Sequence, residues 1–319
     1  MIDFFSNIHI WLQRKIGVIA ENPSIFYQIY ARFYVALDYI CKGVANFFLP
    51  IYFRCTKTEA LQQDSSKDAS VVVSLTTFPK RIGRIWMVIE SLMRQKVMPS
   101  EIHLWLSLKQ FRGENDLPKN LKREIKKGLQ VHFVEDDIRS HKKYFYILQS
   151  HPNDIIMTVD DDIIYRSDSI LKLLDYHKAY PDCVIANYSR KIERDNKGEL
   201  LAYDTWKQHD VEGIDDSMFF GSGGGTLFPP HILCSEVTNL KAILQCCPTA
   251  DDIWLNAMTR LNKKRIIKTD CSKVFLPLLI FGDIALSNTD NVGINGNDRQ
   301  LRQVREYCVE KFGVDPFVS

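Results

Sequence analysis

Three consecutive aspartates, Asp160, Asp161 and Asp162, follow a short apolar run at positions 155–159. The run is rich in β-branched residues, which is typical of a buried strand. Alternation along an extended chain would place Asp160 and Asp162 on one side and Asp161 on the other. Paired carboxylates at a strand end suit Mg²⁺ or Mn²⁺ beside a phosphate. The pattern predicts Asp160 and Asp162 as metal ligands; the alternative is an acidic turn before a helix starting near Ser167.

A second acidic pair, Asp251 and Asp252, opens a predicted helix whose apolar positions continue to Leu261. Carboxylates at a helix N-terminus are often simple caps, because they complement the positive end of the helix dipole. A carboxylate fixed there could also act as a general base facing the metal site. The segment by itself favours neither interpretation.

The loop after the first predicted strand carries hydroxyl and basic side chains, including Thr76, Thr77 and Arg81. Donors at a strand–loop–helix junction attract phosphate, and an Arg fork binds it through two hydrogen bonds. Neither a GxGxxG nor a GxxxxGK[ST] motif is present, so a dinucleotide fold and a P-loop are not supported. A solvated helix cap is the simpler explanation of this loop.

Two further segments carry residues that could bind a ligand: charged side chains at a predicted strand end, and a run of glycines. The acids at 135–137, with Asp136 at their centre, precede two lysines, of which Lys143 is the better candidate for offsetting phosphate charge. The glycine run at 221–225 predicts positive φ angles or close approach of a ligand to the backbone. Gly223 and Gly224 are therefore candidate ligand-binding positions. The alternative for the acidic segment is an exposed charged turn, and for the glycine run it is a flexible surface loop.

These residues require an architecture that brings strand ends together. The sequence predicts strands at 71–75, 102–108, 131–134 and before Asp160, and helices at 84–94, from 144 and from 251. Strands alternating with helices of this length indicate βαβ units, hence an α/β fold with a mostly parallel sheet. Ligands bind at the carboxyl ends of the strands in such sheets.

Residues 1–56 differ from the rest, because they hold roughly a third of the aromatic side chains. They predict a helical segment, too interrupted by charge to span a bilayer, with an apolar stripe that includes Phe26, Tyr30 and Phe33. Two alternatives stay open: the stripe packs on the main domain or on a second subunit of a homodimer, or it lies on a membrane surface. Residues 57–70 are predicted to be a linker and 71–319 the main domain.

Composition narrows the classes of protein further. The chain has 319 residues, of which 45% are hydrophobic, and a net charge of +2. This charge is too small to produce an overall electrostatic field that would attract nucleic acid. Its eight cysteines lack zinc-type spacing and favour reduced, buried thiols. Without a secretory pattern at the N-terminus, we expect a cytoplasmic protein, peripheral on the inner face of the cytoplasmic membrane under the second alternative above.

Taken in their order along the chain, these segments resemble bacterial family-2-like glycosyltransferases of the GT-A fold, the type that builds capsular and lipopolysaccharide chains. The matching text, spread over residues 71–301, is VVVSLTTFPKRI, SLMRQKVMPSEIHLWLS, DDIRSHKKYFYIL, IIMTVDDDIIY, GSGGGTLFPP, ADDIWLNAM and, more loosely, NGNDRQL. A lone DxD motif is weak, but the ordered set is specific for the fold. Residues 1–56 lie outside the resemblance.

The resemblance implies a GT-A (Rossmann-like) domain, a nucleotide-sugar donor (a UDP-sugar in the first instance) and a glycan or lipid-linked acceptor. It implies Mn²⁺ or Mg²⁺ on Asp160 and Asp162, and Asp252 as the base that deprotonates the acceptor. The donor-binding positions it implies are Thr76, Thr77, Arg81, Asp136, Lys143, Asp160, Asp161, Gly223 and Gly224, with Asp251 beside the base. A late basic group for the leaving diphosphate is not evident, and Lys268, Arg299 and Arg302 are substitutes.

Two other functions remain open at this level. A metal-dependent phosphotransferase or phosphatase also uses an acidic strand end, although the aspartate-nucleophile pattern wants a hydroxyl that Ile163 and Ile164 do not supply. A non-catalytic glycan-binding relative is the third alternative. Intact acids at both 160–162 and 251–252 argue against it.

Overall fold

The computed structural model describes residues 1–20, 25–61, 71–209, 211–271, 275–279 and 296–318, without the side chains of residues 20 and 25. Residues 62–70, most of the predicted linker, lie outside this described part. The predicted division into 1–56, 57–70 and 71–319 stays a prediction.

The strands of the described residues are β1 Val71–Thr76, β2 Glu101–Ser107, β3 Gln130–Val134, β4 Ile155–Val159, β5 Ile163–Ile164, β6 Cys183–Ala186, β7 Ser189–Lys191, β8 Gly213–Ile214, β9 Met218–Phe220, β10 Gly224–Phe228, β11 Arg265–Lys268 and β12 Leu276–Pro277. Eight of them form a mixed sheet in the order β3-β2-β1-β4-β10-β6-β11-β8. All but β10 and β8 run in one direction within the large sheet. The predicted mostly parallel sheet is confirmed.

Helices cover both faces of this sheet. They are α1 Ile2–Ala20, α2 Ile25–Cys55, α3 Trp86–Leu92, α4 Lys119–Ile125, α5 Lys142–Ser150, α6 Ser169–Ala179, α7 Leu240–Cys246, α8 Asp251–Leu261 and α9 Gly296–Phe312. Alternation along β1 separates two cores: Val71, Val73 and Leu75 face α1, α2, α3, α4 and α6. Val72 faces α5, α7, α8 and α9. The predicted α/β fold with a helical, aromatic-rich N-terminal segment is thus confirmed.

The register of the parallel strands determines where the site forms. Thr76 at the end of β1 pairs with Trp105 near the end of β2, and Ser107 pairs with Val134 at the end of β3. Ser74 pairs with Thr158 near the end of β4. The loops that carry the predicted chemistry therefore leave the sheet at one edge, as expected for parallel strands.

The two N-terminal helices form an antiparallel pair, and the predicted apolar stripe of α2 is packed only in part. Phe26, Tyr30 and Phe33 are exposed, whereas Cys41, Leu49 and Phe53 of α2 join the core beneath the sheet. What covers the exposed part, a second subunit or a membrane surface, stays a prediction. Among the described helices, none combines the length and apolarity needed to cross a membrane.

The packed side of α2 is partly polar, and periodicity of apolar residues does not detect such a side. Asp38 is 2% exposed; it accepts from Gln13 of α1 at 2.7 Å, pairs with Lys42 at 2.7 Å and contacts His9. Burial alone would raise the pKa of Asp38, but hydrogen bonds and charge from Lys42 and His9 lower it. A buried carboxylate with partners on both helices fixes how α1 and α2 pair.

A short segment, 275–279, connects the N-terminal helices to the acidic turn. Asn46 of α2 donates to Pro277 O at 2.9 Å and accepts from Leu279 N at 2.8 Å. Leu278 N in turn donates to Asp162 O at 2.7 Å, next to the pairing of β12 with β5. The backbone of the acidic turn is therefore supported from α2 through two hydrogen-bonded steps.

Candidate active site

A cleft of about 510 Å³ opens at the carboxyl edge of the parallel strands. Its lining consists of Thr76, Thr77, Phe78, Arg81, Gln110, Asp137, Arg139, Ser140, Lys142, Lys143, Asp160, Asp161, Asp162, Thr249, Asp251 and Asp252. The volume falls in the range of small-molecule sites. Most of the side chains predicted to carry chemistry meet in this single cleft.

The acidic turn divides its three carboxylates between two cations. Arg81 places one nitrogen 2.6 Å from Asp161 Oδ1 and 2.8 Å from Asp162 Oδ2, and Thr77 donates to Asp161 Oδ2 at 2.5 Å. Asp160 pairs instead with Lys143. Because β4 ends at Val159, the strand-like alternation expected for the three acids does not continue through them, and all three line the cleft.

Exposure separates the three acids. Asp161 is 6% exposed, and burial raises its pKa although Arg81 and Thr77 oppose the shift. The side chains of Asp160 and Asp162 are 45% and 36% exposed. Partial burial and then the Asp160 charge raise the pKa of Asp162 to about 7. The two accessible carboxylates repel each other, and Asp161 is occupied by the protein's own hydrogen bonds.

Lys143 joins the acidic turn to the second acidic pair. Its Nζ lies 2.9 Å from Asp160 Oδ1 and 2.9 Å from Asp251 Oδ2. Burial alone would lower the pKa of Lys143, but Asp160 and Asp251 outweigh it and raise the pKa. A buried ammonium thus holds the two acidic segments on opposite sides of one small space.

The start of α5, which carries Lys143, is fixed by a buried histidine that the sequence did not single out. His141 Nε2 lies 2.6 Å from Cys247 O, so its ring donates there and Nδ1 accepts from the Tyr144 hydroxyl at 2.6 Å. Burial is the first reason that the pKa of His141 falls to about 4, so the ring is neutral at pH 7. This bridge connects α5 to the segment before α8.

Asp251 and Asp252 stand in the first turn of α8 and share one partner, Ser222. The Ser222 hydroxyl lies 2.7 Å from Asp251 Oδ2 and 2.6 Å from Asp252 Oδ1, and Ser222 N donates to Asp252 at 2.7 Å. One hydroxyl has one proton, so it can donate to only one carboxylate at a time. A proton on the other acid would satisfy the remaining contact.

The pKa values of this pair diverge. Burial alone would raise the pKa of Asp251, but Lys143 overrides it and holds the pKa well below its usual range. Burial and then the neighbouring Asp251 charge raise the pKa of Asp252 to about 6. Two adjacent carboxylates in different environments are the pattern that separates a permanently ionised group from a proton acceptor.

The glycine run packs closely, but against the protein's own side chains. Gly225 has φ +85°, as the sequence predicted for at least one position. A Cβ on Gly223 would lie 1.7 Å from Asp160 Oδ2, and one on Gly224 would lie 2.8 Å from Tyr188 Cβ. Neither glycine is among the residues lining the cleft, so the close approach here is by Asp160 and Tyr188.

Gly223 provides a direct test of how the acidic turn is positioned. We expect Gly223→Ala to displace the Asp160 carboxylate, to cost about 1–3 kcal/mol of stability through overpacking and to weaken metal-dependent ligand binding. Thermal denaturation and calorimetric titration measure the two effects. The matched control is Gly83→Ala, since no atom lies within 4 Å of a Cβ there; equal effects of both substitutions would contradict the contact with Asp160.

The remaining predicted residues fall partly inside the cleft. Thr76 lines it and donates to Trp105 O at 2.8 Å. Asp136 is exposed and lies outside the lining, whereas its neighbour Asp137 lines the cleft and pairs with Lys142 at 2.5 Å. The sequence showed that acidic residues at 135–137 are followed by lysines at 142 and 143. It did not show which of the acids lines the cleft.

The candidates for a late basic group do not reach the cleft. Lys268 is 1% exposed and donates to Thr269 O and Cys271 O at 2.6 and 2.8 Å. Arg299 and Arg302 are exposed on α9. The basic side chains that do line the cleft are Arg81, Arg139, Lys142 and Lys143.

The donor set suits a divalent cation. With all groups ionised, the lining holds six carboxylates against four basic side chains, an excess of two negative charges. The accessible oxygens of Asp160 and Asp162 are hard ligands of the type that Mg²⁺ and Mn²⁺ prefer. One divalent ion would offset the excess and make the cleft acceptable to a diphosphate.

Comparison with known proteins yields distant likenesses among solved structures. No protein-family model and no curated protein sequence matches the chain. Among solved structures, the mannosyltransferase PcManGT from Pyrobaculum calidifontis in complex with GDP-Man and Mn²⁺ aligns over 88% of this chain and 77% of its own, with 13% identity and a TM-score of 0.47. A CMP:2-keto-3-deoxy-manno-octonic acid synthetase complexed with CTP covers 63% and 89%, with 11% identity and a TM-score of 0.39.

A third structure, 4-diphosphocytidyl-2C-methyl-D-erythritol synthase, covers 66% of this chain and 93% of its own, with 10% identity and a TM-score of 0.37. Likenesses this distant carry no conclusion about activity or ligand. Fold and cleft by themselves define an α/β protein with a charged, ligand-sized cleft at the carboxyl edge of its sheet.

Proposed function

We propose that this protein is a metal-dependent glycosyltransferase that moves a sugar from a nucleotide-sugar donor, a UDP-sugar in the first instance, to a glycan or lipid-linked acceptor in cell-surface polysaccharide synthesis. The supporting observation is the position of Lys143, 2.9 Å from both Asp160 and Asp251. The proposed metal-binding turn and the proposed base-bearing helix are therefore joined by one ammonium and line the same cleft.

In this proposal Asp160 and Asp162 hold Mn²⁺ or Mg²⁺, which supplies Lewis-acid stabilisation of the negative charge that develops on the leaving diphosphate. Thr76, Thr77 and Arg81 border the donor side of the cleft. Arg81 is already oriented by two carboxylates, so it fixes the acidic turn beside the donor.

The acceptor side is assigned to the start of α8. Asp252 takes the proton of the attacking hydroxyl, because its pKa of about 6 lets it be ionised at neutral pH and still accept a proton. Asp251, ionised and paired with Lys143, keeps that ammonium in place. The Ser222 amide holds Asp252 in its orientation.

A thermal-shift screen tests the donor assignment. We expect nucleotide sugars to raise the melting temperature only with Mn²⁺ or Mg²⁺, since a ligand at a hundred times its Kd adds about 2.7 kcal/mol of stability. UDP-, GDP- and CMP-sugars compared in parallel identify the base, and release of UDP, GDP or CMP confirms turnover. A protein that ignores every nucleotide sugar but hydrolyses a phosphomonoester would favour the phosphatase alternative.

We further propose that α1 and α2 attach the protein peripherally to an anionic membrane surface. Most of the exposed large hydrophobic side chains belong to these helices, among them Phe4, Trp11, Phe26, Tyr27, Ile29, Tyr30, Phe33, Tyr39, Ile40, Phe47, Phe48 and Ile51. Arg14, Lys15 and Arg32 are exposed beside them, whereas Asp3 and Asp38 are engaged inward. Aromatic and basic side chains on one surface suit anionic lipid headgroups.

Replacing Phe26, Tyr30 and Phe33 together by Ser tests this surface. The three side chains are 70%, 62% and 57% exposed, so the fold and donor hydrolysis should persist, while partitioning to anionic liposomes falls about 10²–10³-fold with the lost apolar area. Liposome flotation measures the loss. Point substitutions test membrane binding more specifically than removal of the helices, because removal would expose the core around Leu49 and Phe53.

The control for that variant replaces three exposed apolar residues elsewhere, Leu201, Val211 and Leu244, by Ser. It should float like the unmodified protein. If the unmodified protein does not float but is a dimer by light scattering, and the triple variant is a monomer, then a second subunit covers this surface.

A further inference from the structure

A cluster of metal-ligating side chains lies at the opposite edge of the sheet from the cleft. Glu101 and His103 belong to β2 and His151 follows α5; one ligand atom from each lies within 4.8 Å of the other two. Glu101 starts β2 and Ser107 ends it near the cleft, so about 20 Å of strand separates the two sites. None of these three residues takes part in the function proposed above.

The distances suit a small ion that binds nitrogen. Glu101 Oε2 lies 2.8 Å from His103 Nε2 and 3.6 Å from His151 Nε2. Ligands about 2.0–2.1 Å from a tetrahedral Zn²⁺ are about 3.3–3.4 Å apart, a value between the two. Glu101 and His151 are each 21% exposed, which leaves a solvent-facing side for entry and for a water as fourth ligand.

Hydrogen bonds to other residues orient the side chains of the proposed ligands. Ser150 Oγ donates to Tyr146 O at 3.1 Å and lies 2.8 Å from His151 Nδ1. The hydroxyl therefore accepts from His151 Nδ1–H, and the Nε2 lone pair faces the Glu101 carboxylate. Two electron-rich atoms directed at each other need a cation between them, either a proton or a metal ion.

The other two ligands are supported in the same way. His103 Nδ1 lies 2.9 Å from His132 Nε2, so a proton on Nδ1 is accepted by His132 and Nε2 is left for a metal. Gln130 donates to Glu101 Oε2 at 2.6 Å. Outer partners that fix ring orientation and tautomer are typical of histidine metal sites.

We propose that Glu101, His103 and His151 bind a divalent transition-metal ion, Zn²⁺ in the first instance. Two imidazoles and one carboxylate are a ligand set suited to Zn²⁺ and differ from the all-oxygen set of the acidic turn. The ion would fasten the C-terminal end of α5 to β2. Since α5 carries Lys143 near its other end, the ion would support the helix that enters the cleft.

The experiment uses the full chain and Co²⁺ as a spectroscopic probe, followed by Zn²⁺ competition. We expect one equivalent of Co²⁺ with a tetrahedral visible spectrum, displaced by Zn²⁺. His151→Ala should weaken binding by more than the about 10–100-fold that loss of an outer partner costs. The melting temperature of the unmodified protein should rise on the order of 5 °C at a hundredfold excess of Zn²⁺ over its Kd, and that of His151→Ala should not.

Two controls keep the test specific. His231→Asn removes a histidine elsewhere at a left-handed position, φ +57°, where Asn is tolerated, and Asp162→Asn removes a carboxylate of the cleft; both should keep the tetrahedral Co²⁺ spectrum of the unmodified protein. The proposal is overturned if His151→Ala binds like the unmodified protein, if no saturable equivalent binds, or if a sulfur-to-cobalt charge-transfer band assigns the ion to a thiol.

Discussion

Asp252→Asn should lower turnover by about 10²–10⁴-fold while donor affinity stays nearly unchanged. The substitution keeps the shape of the side chain, and its amide oxygen can still accept from Ser222 N, which lies 2.7 Å from Asp252 Oδ1 in the structure. What is lost is the oxygen that takes the acceptor proton. Steady-state transfer assays, with calorimetric titration of the donor, separate the loss of chemistry from a loss of binding.

The pH profile gives the same prediction an independent readout. A general base works only when ionised, and burial followed by the Asp251 charge raises the pKa of Asp252 to about 6. Below that pH, kcat/KM should fall about tenfold per pH unit as the base is protonated. With Mn²⁺ saturating, so that Asp162 stays ionised, the residual activity of Asp252→Asn should lack this acidic limb.

Asp251→Asn is the matched control, because it changes the adjacent acid on the same helix. Asp251 is paired with Lys143 and stays ionised, so its loss leaves a buried ammonium with less compensation. We expect a stability loss on the order of 3 kcal/mol and an effect on acceptor KM rather than on kcat. Near-normal turnover of Asp252→Asn with a natural acceptor would place the base elsewhere and favour a mechanism that retains anomeric configuration without an enzymic base.

The strands of the parallel half of the sheet could be predicted from the sequence, because each is a short apolar run followed by polar or charged residues. The predicted strands at 71–75, 102–108 and 131–134 differ from the observed ones by a residue or so. The carboxyl ends of parallel strands share an edge, so Thr76, Arg81 and Asp160 could be placed together before their distances were known.

Partners that act through tertiary contacts were not predictable in this way. Ser222 stood in the sequence as one hydroxyl in a glycine run, and its link to Asp251 and Asp252 depends on how β9 and α8 pack. His141 carries no local signal, since its two partners are Tyr144 and the carbonyl of Cys247. Spacing along the chain does not report which distant backbone group a buried side chain meets.

The orientation of α2 could not be predicted from the sequence for a different reason. Periodicity identified an apolar stripe and left open what covers it, whereas in the structure Asp38 and Asn46 are on the buried side and Phe26, Tyr30 and Phe33 are exposed. The buried polar groups are satisfied by α1 and by the segment 275–279. A helix whose polar groups find partners inside can expose its apolar face, and hydropathy alone cannot distinguish the two orientations.

The second large effect is expected at the acidic turn. Asp162→Asn should abolish Mn²⁺-dependent binding of a nucleoside diphosphate while the fold stays intact, because it removes one of two accessible carboxylates and leaves Arg81 paired with Asp161 at 2.6 Å. Calorimetric titration with and without Mn²⁺ measures the change. Asp136→Asn is the control, since Asp136 is exposed outside the cleft lining and its loss should leave the metal dependence unchanged.

The same variant should be more stable than the unmodified protein when no metal is present. Burial and the Asp160 charge raise the pKa of Asp162 to about 7 in the folded state, from an ordinary value of 3.8. Above pH 7 the folded protein therefore carries an unfavourable ionised group, whereas protonation relieves it as the pH falls. The melting-temperature advantage of Asp162→Asn should be largest at pH 8, shrink as the pH falls through 7 and vanish below the unfolded value.

Added Mn²⁺ should reverse that order, because the ion stabilises only a turn that keeps both carboxylates. At pH 8 with Mn²⁺ the unmodified protein should melt at the higher temperature, and without Mn²⁺ the variant should. Unchanged metal-dependent affinity in Asp162→Asn would remove Asp162 from the metal site. An advantage of the variant that persists equally from pH 8 to pH 5 would show that the pKa of Asp162 is not raised by its neighbours.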